Sequence, residues 1–352
     1  MLVVVLIPTK IAWALTQDLK VSSKSACLMD MKTGRVLYAK NKDEPRLVAS
    51  IAKIMTAILA IESGRLDEEV IVGEEVLTMY GSNIYIELRE KIKLIDLVYG
   101  LMLRSGNDSA IVIATFVAGS EEKFVKMMNA KAVSIGMKNT VFNNSHGLDE
   151  VTENRTTAYD MALLSRYASK NKTYMEISGT KKYSASSDRK SYLWHNRNKL
   201  LSSYKYATGG KTGFTPRAGR TLVTTASNKK LDLTVVTLSD GNEYQTHQTL
   251  YEYGFNNFKE YLVLDKRRFK IDDNFYQDKI VIKENFSYLL SESEKENLKV
   301  EVKLTKLNRY RNGDVVGVVR VLLNSEQIHS QRVYVNTEGK RGFFSLVRSW
   351  FN

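Results

Sequence analysis

The chain has 352 residues, of which 43% are hydrophobic, and this is enough to fill the core of one large domain or of two, so a disordered protein is excluded. Lysine and arginine number 52 against 39 aspartate and glutamate residues, and the net charge of +13 favours an anionic partner such as nucleic acid, a lipid surface or a wall polymer. Because the basic residues are spread from Lys10 to Arg348 without a recognisable nucleic-acid motif, we predict that the protein does not bind nucleic acid.

The N-terminal residues have the pattern of an export signal. An apolar run from Leu2 to Ile7 leads to the small-residue step Ala12-Trp13-Ala14. Although the basic residues that normally precede such a run are absent, we predict a signal peptide over residues 1–14 and therefore an exported protein; the alternative is a buried strand. No later stretch approaches the roughly 18 apolar residues of a membrane span, so a transmembrane protein is not expected.

A hairpin and a helix follow. Two short apolar segments between Ser25 and Asn41 flank a Lys-Thr-Gly turn, which predicts a β-hairpin that contains the lone cysteine, Cys27. Beyond Ser50, apolar residues recur at helical spacing, at Ile54, Met55, Ile58, Leu59 and Ile61. The spacing places Ser50 at the start of a helix.

Further helices and strands complete the first 263 residues. The patterns predict helices over 94–103, 108–118, 121–135 and 158–168, and strands over 221–225 and 231–238. A loop, 104–107, separates the first two of these helices. The combination predicts a mixed α/β (α+β) domain.

The C-terminal third has a different character. Short alternating segments at 279–283, 299–304 and 315–322 predict a small all-β domain over residues 265–336. Residues 338–352 place aromatic and aliphatic side chains on one helical face and basic ones near the other, which predicts an amphipathic helix at a membrane surface. The alternative is a C-terminal helix that docks on the protein itself.

Ser50 and Lys53 form a candidate nucleophile and base. A serine hydroxyl needs a base within hydrogen-bond reach, and residues three apart on a helix share a face. Burial among apolar neighbours would lower the pKa of the lysine and so leave it neutral. The same Ser-x-x-Lys spacing also begins at six other serines, so the spacing alone is weak evidence. The later triplets Ser105-Gly106-Asn107 and Lys211-Thr212-Gly213, in this order, make the combination specific.

With these motifs the chain resembles the low-molecular-mass penicillin-binding proteins of the D-alanyl-D-alanine carboxypeptidase family. The similarity includes the segments 30–34, 49–56, 105–110, 146–149, 210–215 and 218–219. It implies a serine β-lactamase/transpeptidase-like catalytic domain over residues 20–263, with the β-rich domain and the amphipathic anchor behind it. The implied location is the outer face of a bacterial cytoplasmic membrane, in the cell-wall space.

The resemblance also implies roles. Ser50 would attack the carbonyl between two D-alanines of a peptidoglycan stem peptide, Lys53 would take its proton, Ser105 would relay a proton to the leaving amine, and Asn107 would hold Lys53 and the peptide amide. Four residues of one strand would bind the substrate: Lys211, Thr212, Gly213 and Phe214, the last through its N–H in an oxyanion hole with that of Ser50. β-Lactam antibiotics would acylate Ser50. Since the four histidines lack metal-ligand spacing, we expect no metal, and we expect no cofactor.

Two other functions stay open. A β-lactamase would need a second base for rapid deacylation, and Asp149, Glu150 or Glu153 could supply it. A catalytically silent, wall-associated scaffold would have kept the fold alone. One departure from the family pattern concerns Glu243, which stands where an arginine often binds the terminal carboxylate, and Arg217 or Arg220 is the candidate replacement.

Overall fold

The computed structural model describes residues 2–4, 19–277 and 279–337, which divide into two compact units. One comprises residues 19–256; the other comprises residues 257–277 and 279–337 together with the strand β1 (Leu2–Val4). The rest of the predicted signal peptide and the predicted C-terminal helix, 338–352, lie outside the described residues. Among the helices that are described, none has the length and apolarity needed to cross a membrane.

The larger unit combines strands and helices along its whole length. Its strands are β2 (Ser25–Asp30), β3 (Val36–Lys40), β4 (Arg46–Leu47), β5 (Glu69–Ile71), β6 (Lys91–Lys93), β7 (Arg155–Thr156), β8 (Lys182–Ser186), β9 (Ser191–His195), β10 (Ala207–Thr215), β11 (Gly219–Ser227) and β12 (Asp232–Leu238). Its helices are α1 (Lys53–Glu62), α2 (Leu94–Arg104), α3 (Asn107–Ala118), α4 (Glu121–Ile135), α5 (Ala158–Ala168), α6 (Lys172–Gly179), α7 (Leu200–Ser203) and α8 (Glu243–Asn257). Short 3-10 helices occur at Ala49–Ala52 and Glu74–Thr78.

A five-stranded antiparallel sheet organises this unit. Its strand order is β10-β11-β12-β2-β3, so the hairpin near the start of the chain pairs with a strand near residue 235. Because side chains alternate across a strand, the sheet has two distinct faces. On one face, His247 of α8 contacts Thr224 and Thr237. On the other, Val223 and Val236 join the core that α1 and α5 also enter. The strand β10 lies at one edge of the sheet, and its outer side is not paired in the described sheet.

The helical side of the unit contains the main core. Residues 54–61 of α1 are at most 8% exposed, and the apolar positions that predicted this helix all lie among them. The helix is therefore buried all round, as expected for a segment that is apolar on every face. A buried helix holds its first residues rigidly, and those residues include Lys53.

The smaller unit consists mainly of β-strands. These are β1 and β13 (Phe258–Leu264), β14 (Ile280–Val281), β15 (Phe286–Ser291), β16 (Leu298–Leu304), β17 (Val315–Leu323) and β18 (Glu326–Val335). One sheet has the order β1-β16-β17-β18-β14, and β13 pairs with β15. A five-residue helix, α9 (Glu292–Glu296), is stabilised at its N-terminus by a capping box between Ser291 and Glu294. The predicted β-rich character of this region is confirmed.

Candidate active site

The candidate nucleophile lies in a constrained turn. Residues Ala49–Ala52 form a 3-10 helix that leads directly into α1, so Ser50 precedes the helix by three residues. Ala49, which is 2% exposed, has a φ of +51°, a left-handed conformation that an alanine seldom adopts. Such strain persists only where the surroundings hold it, and it is commonly found next to reacting groups.

Lys53 lies at the centre of a polar cluster inside the core. Its Nζ is 3.1 Å from Ser50 Oγ and 2.7 Å from Asn107 Oδ1, and it also donates to the carbonyl oxygen of His146. The side chain is fully buried. Burial, followed by the positive charge of Lys211, holds the pKa of Lys53 well below its usual value. A lowered pKa favours the neutral amine, which is the form of a lysine that can accept the proton of a serine nucleophile.

Ser105 and Asn107 lie at the junction between α2 and α3. The helix α2 ends at Arg104, Ser105 takes a left-handed φ of +67°, and α3 begins at Asn107. Besides accepting from Lys53, the Asn107 amide donates to the carbonyl oxygen of Tyr80 at 2.6 Å. The reversal of the chain at this junction thus turns the Ser105 and Asn107 side chains toward the same cluster.

The strand β10 supplies the second lysine. Lys211 Nζ donates to Ser105 Oγ at 2.9 Å and to the Thr212 carbonyl oxygen at 2.7 Å. Burial, with a smaller effect from the charge of Arg197, lowers the pKa of Lys211 to about 7. The strand β10 is thus joined to the junction of α2 and α3 through the Lys211–Ser105 hydrogen bond.

The same strand passes close to the nucleophile. A Cβ on Gly213 would lie 3.0 Å from the Ser50 nitrogen and 2.4 Å from Thr221 Oγ1, so no larger side chain fits there. Thr221 in turn donates to the Val48 carbonyl oxygen at 2.9 Å, which ties the turn before Ser50 to the sheet. Thr212 is partly exposed and Phe214 is 63% exposed on this open edge. The eight predicted site residues are thus linked by direct contacts or as chain neighbours, and we call the open side of this group along β10 the cleft.

A loop at 144–149 closes the cluster from another side. His146 supplies its backbone carbonyl to Lys53, while its ring accepts from the Leu148 N–H at 3.1 Å. Burial, and then the charge of Lys53, lowers the pKa of the imidazole to about 3, so His146 is neutral at physiological pH. Gly147, with a φ of +90°, packs directly on the Ala49 carbonyl oxygen.

The arginines near the cleft have different surroundings. Arg217 donates to the Asp149 carbonyl oxygen and pairs with Glu153, and Arg220 lies 3.5 Å from Glu243. Arg197, which the sequence motifs did not single out, is exposed to solvent. Its guanidinium donates to Ser82 Oγ at 2.9 Å. The carbonyl oxygen of the same Ser82 accepts from the Asn107 N–H. Arg197, like the carbonyl groups of Tyr80 and His146, has no sequence signature of its own.

The family model for D-alanyl-D-alanine carboxypeptidase (peptidase family S11) matches residues 12–242, and the model for the penicillin-binding protein 5 C-terminal domain matches residues 269–341. The chain belongs to the D-alanyl-D-alanine carboxypeptidase family. The resemblance inferred from the three motifs is confirmed, and the family is one of serine peptidases.

Curated members of this carboxypeptidase family align over different lengths. The carboxypeptidase DacF of Bacillus subtilis is 37% identical over 232 residues, which cover 64% of this chain and 59% of that protein. The carboxypeptidase DacC of Escherichia coli is 31% identical over 93% of this chain and 87% of its own length.

Solved structures of the family extend the similarity to both units. The carboxypeptidase DacD from Francisella tularensis has a TM-score of 0.77 at 25% identity and covers 94% of this chain, with 96% of that chain covered. Penicillin-binding protein 6B from Escherichia coli has a TM-score of 0.72 at 25% identity over 89% of this chain and 95% of its own. The predicted mixed α/β fold with a β-rich second region is confirmed at this level.

Proposed function

We propose that this family member is a serine-type D-alanyl-D-alanine carboxypeptidase that removes the terminal D-alanine from peptidoglycan stem pentapeptides through an acyl-enzyme on Ser50. The observation that carries the proposal is the buried amine of Lys53, 3.1 Å from Ser50 Oγ. The names of the aligned relatives support the substrate.

The hydrogen bonds of Lys53 indicate how it works as a base. A neutral amine has two N–H donors and one lone pair. Two partners of the Nζ, Asn107 Oδ1 and the His146 carbonyl oxygen, can only accept, so they take both donors. The lone pair is left for the hydroxyl of Ser50. The amine is therefore oriented to receive the serine proton as the oxygen attacks the peptide carbonyl.

The leaving amine needs a proton, and Ser105 can supply it. Its Oγ accepts from Lys211, whose pKa of about 7 lets it exchange protons near neutrality. In deacylation, water attacks the acyl carbon and gives a proton to the Ser105–Lys211 pair, while Lys53 returns its proton to Ser50. Both amines then regain their starting states, so the cycle balances.

The substrate peptide would bind along the outer edge of the strand β10. In the described sheet its outer side pairs with no other strand, so this side is open to an extended peptide, as in β-strand addition. The N–H groups of Ser50 and Phe214 would then stabilise the oxyanion, because Gly213 lets the strand approach the Ser50 nitrogen closely. We propose that the terminal carboxylate binds Thr212 and the exposed guanidinium of Arg197, since Arg217 and Arg220 already face carboxylates.

The β-lactamase alternative finds no support in the acids that were candidates for a second base. Asp149 accepts from Thr215 at 2.6 Å, and Glu153 pairs with Arg155 and Arg217. Glu150 accepts from the Tyr80 hydroxyl at 3.0 Å. Each acid is engaged with a neighbouring side chain.

For cellular placement we propose the outer face of a bacterial cytoplasmic membrane. Residues 1–14 would direct export, residues 20–263 would form the catalytic domain and 265–336 the β-rich domain, with 338–352 as a surface helix. The C-terminal family model, which matches residues 269–341, supports a separate β-rich domain that begins near residue 265. Removal of residues 338–352 is expected to abolish sedimentation with anionic vesicles, and unchanged sedimentation would contradict the anchor.

Covalent labelling tests the catalytic proposal. Purified protein without residues 1–14 is incubated with benzylpenicillin and its intact mass is followed, in parallel with Ser50→Ala and with Ser202→Ala. Ser202 also starts a Ser-x-x-Lys sequence but is exposed on α7, so it is the matched control. A long-lived adduct that only Ser50→Ala lacks, with D-alanine release from a pentapeptide, is the expected result. Rapid drug loss without an adduct would indicate a lactamase, and neither adduct nor drug loss would indicate a silent scaffold.

A further inference from the structure

A hydrogen bond joins two loops at one end of the cleft. The Tyr80 hydroxyl donates to Glu150 Oε2 at 3.0 Å, although the residues are 70 positions apart in the chain. Tyr80 follows the 3-10 helix Glu74–Thr78, and Glu150 lies in the loop before β7. We call this contact the Tyr80–Glu150 bridge.

Both ends of the bridge are tied to groups of the active site. The Tyr80 carbonyl oxygen accepts from Asn107 Nδ2 at 2.6 Å. Asp149, which precedes Glu150, accepts from Thr215 Oγ1 of β10 at 2.6 Å. The bridge therefore links the side of the cleft that contains Asn107 with the side formed by β10. The positions of Asn107 and β10 thus determine where the bridge lies.

The order of contacts along β10 shows which end of the cleft is bridged. Lys211 contacts Ser105, Gly213 passes beside the Ser50 nitrogen, and Thr215 contacts Asp149. With a rise of about 3.3 Å per residue, Lys211 and Thr215 are about 13 Å apart, with the nucleophile between them. A substrate whose carboxylate lies at the Lys211 end must extend its acyl part toward the bridge.

The charges along β10 also differ. Lys211, with Arg197 near it, precedes Gly213, whereas the acids Asp149 and Glu150 and the arginine Arg217 lie at the Thr215 end. The nearby Glu153 is neutralised by two arginines, whereas no salt bridge to Glu150 occurs among residues 19–277 and 279–337. Within these described residues, its side-chain partner is the neutral hydroxyl of Tyr80. An unneutralised carboxylate beside a partly exposed aromatic ring is suited to an ammonium group.

We propose that the Tyr80–Glu150 bridge is a specificity subsite for the acyl part of the substrate, in which Glu150 binds the free side-chain ammonium of the residue that precedes the two D-alanines. The inference rests on the proposed carboxypeptidase function. The residue that precedes the two D-alanines is next to the one that carries the scissile carbonyl, about 3.3 Å away along an extended peptide. Its side chain extends further, toward the bridge near Thr215, which is about 7 Å from Gly213 along β10.

Two peptides that differ in one charge test the subsite. Nα-acetyl-L-lysyl-D-alanyl-D-alanine keeps the ε-ammonium, and the Nα,Nε-diacetyl peptide lacks it. D-Alanine release by the wild-type protein should give a kcat/KM about 3- to 10-fold higher for the free amine, as expected for one solvent-exposed charge pair. Glu150→Gln keeps an acceptor for Tyr80 and should reduce this ratio to about 1, and Tyr80→Phe should reduce it in part.

The matched control is Glu252→Gln, because Glu252 also accepts from a tyrosine hydroxyl, that of Tyr204 at 2.9 Å, outside the cleft. It should keep the wild-type ratio. Equal turnover of both peptides by the wild type, or a ratio that survives Glu150→Gln, would overturn the subsite and leave the proposed function intact. Failure of the wild type to release D-alanine from either peptide, without penicillin acylation, would instead overturn the proposed function and with it the inference.

Discussion

Replacing Gly147 by alanine should slow acylation strongly while the protein still folds. The φ of Gly147 is +90°, and a Cβ there would lie 2.0 Å from the Ala49 carbonyl oxygen and 3.0 Å from the Ser50 nitrogen. Real Cβ contacts are not closer than 3.0 Å, so either the turn at Ala49 or the loop at Gly147 must move by at least 1.0 Å.

Either movement separates the partners of Lys53. The Ala49 turn carries Ser50, and the loop carries the His146 carbonyl oxygen that orients the amine. A misplacement of about 1 Å in a catalytic group lowers a rate by roughly 10²-fold, or about 3 kcal/mol of barrier. The left-handed conformation adds about 1–2 kcal/mol of destabilisation to the folded state.

Gly136→Ala separates the two effects. Gly136 has a nearly identical φ of +91° at the end of α4, but a Cβ there meets nothing within 4 Å. Gly136→Ala should lose about 1–2 kcal/mol of unfolding free energy in urea, and Gly147→Ala should lose at least as much because its backbone must also move. Only Gly147→Ala should lose about 10²-fold in the second-order rate constant for benzylpenicillin acylation, measured by intact mass. Acylation by Gly147→Ala within about threefold of the Gly136→Ala rate would refute the geometric argument.

Three further predictions concern buried polar groups. The carboxylate of Asp108 accepts hydrogen bonds from the backbone N–H groups of residues 84–86, and Asp108→Ala leaves these groups without that partner. The variant should lower the unfolding free energy by about 3 kcal/mol or more in urea titration. A loss below about 1 kcal/mol would contradict this. Burial lowers the pKa of Lys211 to about 7 in the folded chain, so between about pH 7 and 10 the unfolded chain binds one more proton than the folded chain, and the unfolding free energy rises with pH. Lys211→Met should reduce this slope of unfolding free energy against pH by about 1 kcal/mol per pH unit. An unchanged slope would show that Lys211 is not neutral when folded. Burial raises the pKa of the Cys27 thiol to about 12, so a disulfide reagent at pH 8 should label it only after unfolding in guanidinium, and fast labelling of the native protein would be inconsistent with its burial.

Local patterns predicted the helices well and some strands poorly. The helices α4 and α5 have the predicted bounds, 121–135 and 158–168, because Ser120 and Thr157 cap them and apolar residues recur on one face. The strand β18 was not predicted, since residues 326–332 are mostly polar and only pairing with β17 holds them extended. Propensity records local preference, whereas the pairing partner lies elsewhere in the chain.

The site shows the same division between local and distant information. The order of three short motifs brought out Ser50, Lys53 and Lys211, and the structure places these side chains in one cluster. The roles of the His146 and Tyr80 carbonyl groups could not be predicted from the sequence, because every residue has a carbonyl group. The folded backbone determines which of these groups faces Lys53 or Asn107. The pairing of Arg220 with Glu243 likewise depends on β11 and α8 meeting in space.

The sheet order has a consequence for when the protein becomes reactive. The hairpin β2–β3 enters the five-stranded sheet by pairing with β12, about two hundred residues later in the chain. Contacts of such sequence separation close slowly, because the loop entropy is lost before the contact forms. We therefore expect the cleft that unites Ser50 with Lys211 to form late in folding, so the rate at which a refolding chain gains penicillin reactivity should follow the assembly of this sheet.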